Sequence, residues 1–97
     1  MRLVLHPNIR ADVHEIMGFY ERVADAGLAD DFYDELRSFM RAAAKHPESF
    51  SIRERDLRRV NLHRFPYHFL FRIVGDTVRI LVARHHRRHP LHGIRRR

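Results

Sequence analysis

Tyr67-His68-Phe69-Leu70-Phe71-Arg72-Ile73-Val74 runs through Gly75-Asp76-Thr77 into Val78-Arg79-Ile80-Leu81-Val82-Ala83-Arg84. This stretch decides the fold. In an extended chain alternate side chains point to opposite faces. Tyr67, Phe69, Phe71 and Ile73 therefore share one face, and His68, Leu70, Arg72 and Val74 the other. Gly75-Asp76 between two such runs is a tight-turn signal, so the stretch predicts an antiparallel hairpin. In its second strand Val78, Ile80 and Val82 are expected on one face, with Arg79, Leu81, Ala83 and His85 opposite. One face is apolar throughout and the other mixed. The apolar face needs a cover.

The cover lies upstream. Ile9, Val13, Ile16, Met17, Tyr20, Val23 and Ala24 recur at helical spacing, as do Ala29, Phe32, Tyr33, Leu36, Phe39, Met40 and Ala43. Asn8 (or His6, with Pro7 as the first helical residue) is a candidate N-cap for the first helix, and Gly27 a candidate C-terminal residue. Asp30 and Asp31 are expected in the first turn of the second helix and Lys45 in its last, with Pro47 as the stop. Helices near residues 8–26 and 28–46, joined so tightly, form a hairpin. Met1–Leu5 reads as a short first strand, and Leu57–Arg64 as a strand set off from Tyr67 by Pro66. The expected fold is α+β, in the order β-α-α-β-β-β. Its helical hairpin packs on one face of a mainly antiparallel sheet, burying Ile16, Tyr20, Phe32, Leu36, Phe39, Phe69, Ile80 and Val82. The other sheet face is expected to stay open and basic. Ninety-seven residues suffice for one such domain, spanning residues 1–97.

Charge is distributed unevenly. Residues 1–50 hold six basic and nine acidic groups; residues 51–97 hold thirteen and three, and Lys45 is the only lysine in the chain. A cationic half built from arginine suits a polyanionic partner, because the planar guanidinium matches phosphate and carboxylate. Arg58, Arg59, Arg64, Arg84 and Arg87, with Arg88, are the expected surface for nucleic acid or another acidic partner. With no cysteine, disulfides, thiol catalysis and cysteine-ligated metal sites are excluded. The longest apolar runs are too short to span a bilayer, and Met1–Leu5 meets His6-Pro7-Asn8 without a signal-peptide core. The chain reads as soluble and cytoplasmic, with no membrane partner.

His85, His86, His89 and His92 invite a metal reading. No Asp, Glu or Cys follows Asp76, however, and Arg84, Arg87, Arg88, Arg95, Arg96 and Arg97 would repel a divalent cation, so neither metal nor cofactor is expected. Serines and glycines lack a nucleophile-elbow or phosphate-loop context. Any catalysis on RNA would be metal-free: a 2′-hydroxyl attacks the neighbouring phosphate while side chains supply charge and move protons.

Arg53, Phe65-Pro66-Tyr67, Gly75-Asp76, Ile80-Leu81-Val82-Ala83 and His85-His86-Arg87-Arg88-His89-Pro90 follow one another in an order that resembles the RelE/ParE superfamily. These are toxins of type II toxin–antitoxin systems, and the similarity is to the "plasmid stabilization" members. It spans essentially the whole chain. It implies a toxin held by a cognate acidic antitoxin. The activity it implies first is inhibition of translation by metal-independent mRNA cleavage, as a ribosome-dependent endoribonuclease; the alternatives are inhibition of DNA gyrase without nuclease activity, or a degenerate partner-binding module. In the ribonuclease case it places the working groups at Arg58 or Arg59, at His68, at His85 or His86 with Arg88, and at His92. Those residues are then expected to converge on the open sheet face within reach of one phosphate.

Overall fold

The computed structural model describes residues 1–97. Strand β1 (Arg2–Leu5) leads into helices α1 (Ile9–Val23) and α2 (Ala26–Lys45) and a 3-10 turn at Pro47–Ser49. Strands β2 (Ile52–Glu54), β3 (Leu57–Asn61), β4 (Tyr67–Val74) and β5 (Thr77–His85) follow. The sheet order is β1-β5-β4-β3-β2, antiparallel except for the parallel β1–β5 pair. The expected α+β order holds, with one strand added. β2 escaped the sequence because it is three residues long and largely exposed, with no apolar alternation to read.

Helix boundaries follow local hydrogen bonding. Asp25 caps α2 by accepting the Leu28 N–H at 2.8 Å. Gly27 therefore falls inside the first turn of α2 instead of closing α1, and Asp30 and Asp31 lie beyond that turn. Asn8 makes no side-chain cap; its N–H instead donates to His6 Nδ1 at 3.1 Å. β3 stops at Asn61, short of Arg64, because the Glu35 carboxylate accepts the His63 and Arg64 N–H groups at 2.9 and 3.0 Å. Amides held by α2 cannot pair with a neighbouring strand.

The core lies between helices and sheet. Ile9, Ile16, Tyr20, Ala29, Phe32, Leu36 and Met40 meet Val60, Phe65, Tyr67, Phe69, Phe71, Val78 and Ile80. Phe65 sets its ring edge-on against Tyr20 and Phe32, with centroids 5.2 and 5.6 Å apart. Phe39 is only half-buried, packing at the core's margin against the His63 ring.

Two expectations about the sheet are corrected. Leu70 pairs with Val82 but Phe71 with Ile80, so Leu81 is an extra residue in β5. This bulge reverses the alternation beyond it. Val82 is buried on the second face, with Leu57, Leu70, Leu81 and Ile94, while Ala83 joins the helix-side core. Nor is the second face open. The C-terminal segment folds onto it, with Ile94 buried and Gly93 at φ +78 pressed against Val82.

Candidate functional site

The bulge sets the chemistry at the end of the β4–β5 hairpin. Because alternation reverses at Leu81, Arg84 lies opposite His68 on the second face, and His85 lies opposite Tyr67 on the helix side. Arg84 is buried and all three of its nitrogens are engaged. Nε donates to His68 Nε2 at 2.9 Å, Nη1 to the carbonyls of Pro90 and His92 at 2.8 Å each, and Nη2 to Glu54 Oε1 at 3.1 Å. One guanidinium thus ties β5, β4, β2 and the C-terminal segment together.

A chain of fixed tautomers continues from it. Arg84 can only donate, so His68 Nε2 accepts and the His68 proton sits on Nδ1. That proton is donated to His86 Nδ1 at 2.9 Å, which leaves the proton of the exposed His86 on Nε2. Arg59 Nη2 also approaches His86 Nδ1, at 3.4 Å, while its Nε donates to Asn61 Oδ1 at 2.7 Å. Burial pushes His68 down to about 3, helped by the Arg59 and Arg84 charges. Burial, then Arg59, also holds His86 below the usual imidazole value. Arg59 is lowered by burial and by Arg84 and Arg53, with Glu54 opposing. Both histidines are therefore neutral at physiological pH.

A second group gathers on the other side of β5. His85, Arg88 and His92 line a cavity of about 260 Å³ with Glu15, Arg22 and Tyr67, between α1 and the C-terminal segment. His92 is lowered by partial burial and by Arg88 and Arg96. Burial raises Tyr67, and takes Tyr20 up to about 12 with Tyr67 adding to the effect, so both phenols stay protonated. The His85 Nδ1 accepts the Arg87 N–H at 3.0 Å.

The structure thus divides the sequence-predicted residues. His68 and His86, with Arg59 and Arg84, form one hydrogen-bonded cluster; His85, Arg88 and His92 line a cavity that Arg84 also borders, with the His85 and His86 rings 6.4 Å apart. The expected single cationic surface is also divided. Arg58 pairs across the sheet with Phe71 on the helix side and donates to the Phe50 carbonyl at 2.8 Å. Arg64 pairs with Asp31 of α2 at 3.0 Å. Arg84 is interior. Arg59 belongs to the second face, and Arg87 and Arg88 stand exposed beyond β5.

Sequence reasoning missed Asp12, Glu54 and Arg96. Asp12 accepts two bonds from Arg96, at 2.6 and 3.1 Å, and the Ala83 N–H at 3.1 Å. Arg96 also donates to the Leu81 carbonyl at 3.1 Å. Together they satisfy the part of β5 that extends past β1. One signal was available: Asp12 sits between Ile9 and Ile16 on the buried stripe of α1, where a carboxylate needs a partner. Glu54 carried no such signal.

A helical hairpin on a twisted sheet that ends in a cationic, histidine-bearing strand is the frame of a small toxin of the RelE/ParE kind. A family model described as "ParE toxin of type II toxin-antitoxin system, parDE" matches residues 3–90. The chain belongs to that family. Among solved structures it is similar to a chain of the "Chromosomal ParDE TA system from P. aeruginosa". The TM-score is 0.79 and 18% of residues are identical, over 88% of this chain and 95% of that one. No curated protein matches. No helix is long and apolar enough to cross a membrane.

Proposed function

We propose that this ParE-family toxin acts in the cytoplasm by docking on a protein target, DNA gyrase, without cutting nucleic acid, and that an acidic antitoxin restrains it. The observation behind this reading is the division just described. Metal-free cleavage needs a base, an acid and a phosphate-holding cation around one phosphate. Here the candidates fall into two groups joined by Arg84, whose nitrogens are all bound within the protein, and His68, buried with both ring nitrogens engaged, has no free edge for substrate.

The antitoxin has a suitable seat. Leu3, Leu5, Ile9, Tyr33 and Met40 line a groove of about 270 Å³ flanked by Arg37 and Arg41. β1 beside it is an edge strand, open to strand addition. An acidic segment with apolar residues would match both groove and flanks.

A second reading, ribosome-dependent mRNA cleavage, draws on the Arg59–His86 pair, in which His86 is exposed and its Nε2 is not engaged by Arg59 or His68. Expression of His86→Ala and His92→Ala variants separates the two. Both are expected to stay toxic, with intact mRNA and with purified toxin blocking supercoiling by gyrase. Loss of toxicity in either variant, together with transcripts cleaved by the unaltered toxin and intact in the variant, replaces gyrase inhibition by ribonuclease action.

A further inference from the structure

We propose that a hollow on the second sheet face, lined by Arg55, Arg72, Arg95, Arg96 and Arg97, binds the phosphate backbone of double-stranded DNA. The hollow measures about 280 Å³ and no acidic residue lines it. Two of its arginines form a fixed frame. Arg72 is bidentate to Asp56 at 2.9 and 3.2 Å, and Arg96 is turned inward to Asp12 and the Leu81 carbonyl. Arg55, Arg95 and Arg97 are exposed and form no ion pair, so three cations remain for a ligand.

Arg55 supplies a second, independent observation. It occupies the β2–β3 turn at φ 54, the only non-glycine residue of the chain with positive φ. Asn or Gly would adopt that conformation with less strain. At this strained position the Arg55 side chain lines the hollow.

The lining also selects the ligand. No aromatic ring borders the hollow, whereas single-strand binding surfaces depend on rings that stack with bases. Its only apolar member, Ile94, is buried, so an acidic peptide would find charge but no apolar surface to offset its ordering. A duplex backbone requires neither. Arg95 and Arg97, on either side of the anchored Arg96, form a short cationic arm suited to the narrow, strongly negative minor groove of A·T-rich DNA. The minor groove of an RNA duplex is wide and shallow. This site is separate from the histidine clusters and does not depend on how the toxin acts.

The test measures binding of the full chain to a labelled A·T-rich DNA duplex by fluorescence anisotropy across a salt series. Each phosphate contact contributes about 0.9 to the slope of log K against log salt. The double variant Arg95→Ala/Arg97→Ala should flatten that slope by about two, and Arg55→Asn by about one. Arg10→Ala, the same loss of one charge as Arg55→Asn but on the exposed side of α1, should leave it unchanged. An unchanged melting temperature for the double variant shows that the fold is retained. The proposal is overturned if Arg10→Ala flattens the slope as much as Arg55→Asn does. Tighter binding of single-stranded DNA or of an RNA duplex also overturns it, as does a polyglutamate peptide that binds in place of DNA.

Discussion

His68 is held neutral from both sides, and this gives the folded chain a specific weakness to acid. Its folded value lies near 3, against about 6.5 for a free imidazole, so the unfolded chain takes up the proton first. The stability it confers is fully present above about pH 6.5 and is lost as pH falls towards 3. The slope from this one group reaches about 1.4 kcal/mol per pH unit. His68→Gln keeps an acceptor for Arg84 and a donor for His86 but cannot titrate. Urea unfolding between pH 7 and 4 should therefore show a shallower acid loss for this variant; parallel curves would remove His68 as the source. Gly93 is sensitive for a different reason. A Cβ there would lie 2.5 Å from Val82 Cγ2, on a backbone at φ +78. Gly93→Ala should cost about 2–4 kcal/mol, from strain and overpacking together, measurable as a lower denaturation midpoint.

At the scale of elements, the helices show how far periodicity carries. Phe32 and Phe39 occupy the same apolar stripe of α2 in the sequence, yet Phe32 is fully buried and Phe39 only half so. Phe32→Ala should cost about 3–5 kcal/mol and Phe39→Ala about half of that, since the transfer and cavity contributions both scale with burial. Equal losses in thermal unfolding would contradict this ranking of the two sites. The hairpin β4–β5, the two helices and most core residues were legible because their patterns are local: alternation, helical spacing, Gly75-Asp76. The bulge at Leu81 was not. Ile80-Leu81-Val82-Ala83 is apolar on every position, so no polar residue marks where the alternation reverses. That one-residue shift moved Val82 and Arg84 to the second face and split the candidate site. Glu54 and Arg96 were illegible too, because each acts across a sequence distance that no local pattern spans.

At the scale of the whole molecule, the C-terminal segment is bound by three unlike contacts: Ile94 in an apolar patch, Arg84 holding two carbonyls, and Arg96 on Asp12. Asp12→Ala leaves the mostly buried Arg96 without its partner and should cost about 3 kcal/mol. If the contacts act as one latch, combining it with Gly93→Ala should give less than the sum of the two losses, because the first change already loosens the segment. Strict additivity in denaturant unfolding would show separate contacts. The parallel pairing of β1 with β5 has a consequence for the order of events during synthesis. Arg2 aligns with Thr77 and Leu5 with Ile80, so the first strand made waits for the last. The helical hairpin likewise emerges before the strands that bury its apolar face. At about 5–20 residues per second, the growing chain carries that face uncovered for seconds. Until β5 leaves the ribosome β1 has no partner strand and the five-stranded sheet cannot be completed. During that interval the nascent hairpin is open to capture, and an antitoxin already present in the cell would meet its target before the target is complete.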